Sequence, residues 1–358
     1  MRHAPVCYIL TTLIGISAGQ VASAADFPTD LRGGYTEQGW AEWDDNPLVG
    51  IRAGMRYSYS LGGGSVTTEG VTIGPTSIPG GTSEFSDVVH SGELYLRIDD
   101  YSTNTYLKAV GGYSMALSAD YSNSYTSGTT DAGKVAHFKV DLGYMPIELG
   151  DDENGLKIGG FAGYQYMHEG QQLGAANFNP INSNADLSWV TDTENYFVPI
   201  DYAQHSLNVN AMRLGVNSEA KLGPFDIEAE FTAIPYAQIS GVLGFHGFNA
   251  IDQGAYTTYK STASQFDGSG WGGETELMLG YNINENFAIR AGGRASYLQA
   301  SGDLVYGLAD VTDPVDSDTD GIYETGPATG GTYYLVPEKI DALSMWRYGI
   351  LAELTYSF

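Results

Sequence analysis

The chain has 358 residues, 16 basic and 43 acidic side chains, a net charge of −27, 47 glycines, 26 tyrosines and one cysteine. So acidic a chain presents no basic surface to polyphosphate, which argues against a nucleic-acid partner. Past the first twenty residues no uninterrupted apolar run approaches the ~18 residues a membrane helix needs, which sets aside a helical membrane protein.

Taken in chain order, Met1, Arg2 and His3 give a short basic start, Val6 to Ile16 an apolar stretch, and Ala22-Ser23-Ala24 a small-x-small cleavage pattern. These are the parts of a secretory signal, so residues 1–24 are expected to be removed and the mature chain to begin at Ala25. Cys7 leaves with the signal, and no disulfide can staple the exported protein. Residues 25–47, with Trp40, Trp43, Asp44 and Asp45, read as a periplasmic segment or a partial plug.

From residue 48 onward, period-two alternation recurs. The first instance sets Val49, Ile51, Ala53, Met55, Tyr57 and Tyr59 on one face, with Gly50, Arg52, Gly54, Arg56 and Ser58 on the other. Segments near 88–98, 105–119, 135–145, 156–168, 206–221, 225–236, 271–283, 287–299 and 345–358 repeat the pattern. Each is a strand with one apolar and one polar face. Ten such strands fit an all-β, antiparallel up-and-down transmembrane barrel over 48–358, in which closure satisfies the backbone within lipid.

The connections alternate in length. Tight ones fall at Asp99–Ser102, Gly150–Gly155, Leu222–Pro224 and Asn284–Asn286, and long ones near 61–87, 120–134, 169–205, 237–270 and 300–344. Short turns belong on the periplasmic side and long loops outside. Alternating pieces inside the long connections, Val66 to Ile73 and Thr332 to Val336, suggest strands that continue above the membrane.

Charge placement tests the reading. Arg52, Arg56, Arg97, Lys108, Lys139, Lys157, Arg213, Lys221, Arg290, Arg294 and Arg347 all fall on the polar parity. So do the acids Glu93, Asp141, Glu169, Glu219, Asp226, Glu228, Glu230, Glu274, Glu276 and Glu353. A lipid-facing charge costs roughly 2–4 kcal/mol at the midplane, so these side chains are expected to form a salt-bridged lumen. Tyr57, Tyr59, Tyr164, Tyr166, Trp271, Tyr297, Trp346 and Tyr348 gather toward the external rim, and Tyr144, Tyr281, Phe287, Tyr356 and Phe358 toward the periplasmic one. Two aromatic belts are what two lipid–water interfaces select.

The last strand, Tyr348 to Phe358, resembles the terminal signal of bacterial outer-membrane barrels, in which the final aromatics, here Tyr356 and Phe358, are read by the barrel-assembly machinery. That resemblance implies the outer membrane of a Gram-negative bacterium, with its lipids and lipopolysaccharide as surroundings. The layout is also similar to the omptin group, ten-stranded barrels whose strands project above the membrane. The segments Arg97 to Thr103 and Leu214 to Asp226 resemble alphaproteobacterial outer-membrane proteins of unassigned role.

Omptins are proteases with an Asp-x-Asp pair in the second external loop and an Asp-x-His pair in the fourth. Here the second loop, Asp120 to Asp131, has no Asp-x-Asp, and the fourth, Ser240 to His246, has a histidine with no acid two residues before it. His90-Ser91, His168-Glu169 and His205-Ser206 are adjacent in sequence, so each pair points to opposite faces and cannot form one nucleophile–base unit. No catalytic residue is assigned. The expected role is envelope-structural or surface-interacting, with an omptin-like hydrolase of altered catalytic residues as the alternative and a narrow channel third.

One further motif stands in the fifth external loop. Asp316, Asp318, Asp320 and Gly321 match the opening of a calcium loop, where oxygens at alternate positions converge on one hard cation and glycine permits the sharp turn. Position twelve is Pro327 instead of glutamate, so Glu324, Asp313 or a backbone carbonyl would have to complete a Ca2+ shell within 313–324.

Overall fold

A computed structural model describes residues 49–358 except 75, 123–126, 151–153, 173–203, 245, 247–250, 254–255, 261 and 313–331. The strands are β1 (Val49–Ile73), β2 (Thr76–Asp100), β3 (Thr105–Ser122), β4 (Ser127–Thr130), β5 (Gly133–Gly150), β6 (Gly155–Gln172) and β7 (Gln204–Leu222). They continue as β8 (Phe225–Val242), β9 (Ile251–Asp252), β10 (Tyr256–Lys260), β11 (Gln265–Asn282), β12 (Phe287–Thr312) and β13 (Thr332–Ser357). All pair antiparallel in the order β11-β8-β7-β6-β5-β3-β2-β1-β13-β12, and the β11–β12 ladder closes the ring. Ten long strands thus make the barrel. The short β4 pairs with the upper end of β3, and β10 with the upper end of β12, as upward continuations of β5 and β11.

Closure at the seam is local chemistry as well as register. The Phe358 backbone N–H bonds the Ile51 carbonyl at 2.9 Å, and the Asn286 side chain donates to the Ser357 carbonyl at 2.8 Å. Tyr356 packs edge-on against both Phe287 and Phe358, with centroids 4.8 and 4.7 Å away. At the β7–β8 turn, Gly223 takes φ +60°, a left-handed conformation open to a residue without Cβ.

The connection expected near 61–87 is not a loop. β1 and β2 run as one continuous hairpin, paired from Val49↔Asp100 to Ile73↔Thr76. The Gly62-Gly63-Gly64 run lies within the ladder opposite Asp87, Ser86 and Phe85. Backbone pairing continued because glycine is permissive of extended backbone while neighbouring side chains fill its space; Trp346 and Phe85 occupy the volumes a Cβ would need at Gly63 and Gly64.

Bulges set which face points inward. β8 carries one extra residue against both neighbours beside Pro235, β3 one beside Met115, and β13 one beside Asp341. Proline has no N–H for the ladder, so a bulge is where a strand accommodates it. Past each bulge the inward parity switches, from Thr232 and Ile234 to Ala237 and Ile239 on β8, and from Arg347 to Ile340 and Glu338 on β13.

The outward surface through the membrane is apolar. Met55, Leu94, Leu142 and Ile350 are all more than 60% exposed, as lipid-facing side chains must be when measured without lipid. Inside, the barrel has two storeys: charges fill the lower, and a packed cluster including Val66, Phe85, Leu207, Val209, Ile239, Leu298, Leu304, Leu308 and Val336 fills the upper.

Candidate functional site

The lower storey is built by period-two geometry. Every second residue of each strand points into the lumen, and cross-strand register sets those residues level. Arg52, Arg97, Lys108 and Asp141 lie in one row across β1, β2, β3 and β5.

From that row upward the charges interlock. Arg97 holds Asp99 at 2.8 Å and pairs with Glu219. Lys108 bridges Glu228 and Glu230 at 3.0 and 2.9 Å. Arg290 reaches Asp226 at 2.8 Å and Glu228 at 3.0 Å. Arg56 sits between Glu353 at 2.6 Å and Glu276 at 3.0 Å, and Arg294 between Glu276 at 2.8 Å and Glu93 at 3.0 Å. Arg213 binds Asp141, Glu230 and Glu274 at 3.0, 2.7 and 3.4 Å, and Lys139 completes Glu274. At the top of the storey Arg347 takes Asp87 at 2.9 Å and Glu169 at 2.7 Å.

Aromatic rings line the gaps, with Arg97 at 4.2 Å over Tyr106 and Arg56 at 5.4 Å over Tyr95. In an environment of low dielectric an ion survives only when paired and hydrogen-bonded. The network meets that condition by giving each arginine more than one acceptor, with Arg52 as an exception.

A small chamber of about 50 Å³ remains between the storeys, bordered by Ser58, Ser91, His137, Lys139, Gln165 and Arg294. It is room for a few waters, not for a substrate.

A polar group centred on Glu338 lies among the carbon of the upper storey. Glu338 accepts the Tyr306 hydroxyl at 3.1 Å and the Gly70 backbone N–H at 3.0 Å, where Gly70 has φ +83°. His246 pairs through Nδ1 with the Ser264 hydroxyl at 2.8 Å, and its Nε2 stands 3.8 Å from Glu338. The Lys260 ammonium donates to the His246 carbonyl. Burial lowers Lys260 to about 7 and pulls His246 well below its ordinary value. Serine, histidine and acid thus touch in series, but Ser264 and Glu338 are 1% and 5% exposed inside the packed core. A nucleophile there meets no substrate; the group ties together the first, fourth and fifth external connections.

The sequence-expected residues fall as follows. Arg52, Arg56, Glu93, Arg97, Lys139, Asp141, Arg213, Glu228, Glu230, Glu274, Glu276, Arg290, Arg294, Arg347 and Glu353 all lie on the inward face of the lower storey. Asp316, Asp318, Asp320 and Glu324, the signal segment 1–24 and residues 25–47 lie outside the described residues. His90 faces outward and shares a hydrogen bond with the Tyr57 hydroxyl at 2.6 Å, while Ser91 is buried inward. Sequence reading missed Asp87 and Glu338 as buried acids. Asp87 continues the inward parity of Glu93, which a longer β2 would have revealed. Glu338 was hidden by the bulge at Asp341.

A closed ring of ten antiparallel strands, charged within and apolar without, defines an outer-membrane β-barrel. Among solved structures, the outer membrane protease OmpT from Escherichia coli is similar at a TM-score of 0.50 and 10% identity, over 86% of this chain and 97% of that one. The likeness extends the omptin-like layout to the full course of the strands; at that identity it is a likeness of fold. The translocator domain of the autotransporter NalP from Neisseria meningitidis is similar at a TM-score of 0.30 and 14% identity, over 92% and 96% of the two chains. No family model and no curated protein matches the sequence.

Proposed function

We propose that this protein is a closed barrel of the Gram-negative outer membrane whose role is to stabilise the envelope or to present a surface, not to conduct or to hydrolyse. One observation carries the reading: the ion-paired lower storey and the apolar upper storey lie one above the other along the same strands. A channel needs a polar path through both. An omptin-like protease needs acids and a histidine converging on an open space above the lumen, whereas that space is occupied here by Leu207, Ile239, Leu304 and Val336. Lipids and lipopolysaccharide would be its standing partners, and the assembly machinery a transient one through Tyr356 and Phe358. Ca2+ bound by Asp316, Asp318, Asp320 and Glu324 would relieve charge in the fifth loop.

Purified barrel in a planar bilayer tests the reading, together with a peptide-cleavage assay on whole cells. Neither discrete conductance steps nor cleavage above a barrel-free control is expected. Stable ohmic steps would replace the closed reading with a channel, and turnover would replace it with a hydrolase.

A further inference from the structure

The outward face changes character one step above the apolar band. Tyr348, Leu61 and Val88 lie level on β13, β1 and β2 as its last apolar row. Two residues higher, about 7 Å along the strands, stand Trp346, Gly63 and Ser86. Register carries that row on to Asp120 of β3, and sets Ser344, Ser65 and Glu84 in the row above. The two rows line a trough of about 630 Å³ that crosses β13, β1, β2, β3 and β4, a volume in the range of small-molecule sites. Strands about 4.8 Å apart give it a length of roughly 19 Å.

Its floor is built around a missing side chain. A Cβ at Gly63 would stand 2.9 Å from the Trp346 ring, so the bare glycine lets the indole lean across β1 toward β2. That indole is 37% exposed and runs near-parallel to Tyr348, with 17° between the ring planes and centroids 5.4 Å apart. Beside it the Ser65 and Ser344 hydroxyls share a hydrogen bond at 2.9 Å, and Glu84, Ser86 and Asp120 are exposed.

The lining selects by chemistry. An exposed indole presents a negative face that attracts C–H groups, while the serines donate and accept hydrogen bonds and the carboxylates accept them. A pyranose ring offers the matching pair of surfaces, a face of C–H groups and a rim of hydroxyls. No lysine or arginine lines the trough among the described residues, so Glu84 and Asp120 repel phosphate and carboxylate groups. The trough begins directly above the lipid-facing row, at the depth of the headgroups, where Trp and Tyr gather. We propose that it binds an uncharged saccharide carried by a lipid of the outer leaflet. The inference rests on the envelope role proposed above and names the chemical class of its ligand.

The test uses the full mature chain refolded in a polyoxyethylene detergent, with dodecyl maltoside as the probe. Acrylamide quenching of Trp346, taken as wild type minus Trp346→Phe, is expected to fall saturably as the maltoside is added. Free maltose should require many-fold more sugar for the same protection, because anchoring holds the disaccharide at the depth of the trough. Dodecylphosphocholine, with the same chain and a charged headgroup, should give no protection. The double variant Glu84→Gln with Asp120→Asn keeps the indole and the size of both side chains, and should raise the half-saturation several-fold. Both side chains are exposed, so this variant should unfold at the wild-type temperature, which shows that it folds. No saturable protection in the wild type, or an unchanged half-saturation in the double variant, would overturn the site. Equal potency of free maltose would overturn the lipid-borne source, and equal protection by dodecylphosphocholine would overturn the saccharide. A barrel that conducted ions or cleaved peptides would still give this titration, so the two readings fail separately.

Discussion

Strand β12 can be compared with itself. From Phe287 to Tyr297 it turns Ile289, Ala291 and Tyr297 outward and Arg290, Arg294 and Ser296 inward; from Leu298 to Leu308 it turns Gln299, Ser301 and Asp303 outward and Leu298, Leu304, Tyr306 and Leu308 inward. The parity is unchanged and the polarity is exchanged. The solvent on the outer side explains the exchange. Hydrocarbon outside requires carbon outside, which leaves the interior to charges that must pair with each other. Above the aromatic belt water lies outside, and the same barrel can fold around an apolar core as a soluble sheet does. One backbone thus solves two opposite solvation problems in succession.

The two storeys should break differently. The largest effect is expected in the lower one. Arg56→Leu takes one cation from Glu93, Glu276 and Glu353 and leaves the excess charge buried, and removing one partner of a buried ionic group costs about 3–5 kcal/mol; urea unfolding from detergent micelles would measure it. In the upper storey Leu304→Ala, fully buried, should cost about 3 kcal/mol through lost contacts and a cavity. A result in which Arg56→Leu is the milder of the two would contradict the ion-paired lumen.

Outward substitutions sharpen the boundary. Leu277→Arg places a charge in hydrocarbon and should cost about 2–4 kcal/mol, whereas Ser301→Arg, above the belt, should stay within about 0.5 kcal/mol. The same urea series reports both.

A smaller effect is expected from acid. His205 is buried against Phe85 with ring centroids 5.2 Å apart, and burial lowers it from 6.5 to about 3. The unfolded imidazole takes up a proton that the folded one refuses. Its stability contribution is therefore complete above 6.5 and lost as pH falls toward 3. The drop in urea midpoint between neutral and mildly acidic buffer should be smaller in His205→Gln than in the wild type. The smallest effect belongs to the fifth loop: millimolar-range calcium should slow its proteolysis, and Asn at positions 316, 318 and 320 should remove that protection.

How far the sequence could be read follows the same boundary. Below it, each strand alternates between lipid and charge, so Arg290 and Arg294 against Ile289 and Ala291 fix both the strand and its facing. Above it, alternation continues with the faces exchanged, and the rule that carbon faces lipid misleads. Leu207 and Val209 share the parity of Arg213, and on β7 all three point inward. Single-residue bulges hide the rest. No local pattern announces the extra residue at Asp341, and without it Glu338 reads as an outward acid on an external loop.

The account turns on the exchange of polarity along one strand, and spin-label accessibility along β12 tests it directly. Single cysteines from Ile289 to Leu308, labelled in lipid vesicles, would be relaxed by oxygen and by a water-soluble nickel complex. The odd positions should favour oxygen through Tyr297 and the nickel complex from Gln299 upward, while even positions stay shielded from nickel along the whole length. Nickel access at Ser296, Leu298 or Leu304 equal to that at Ser301 would show a water-filled interior and contradict the closed, two-storey barrel.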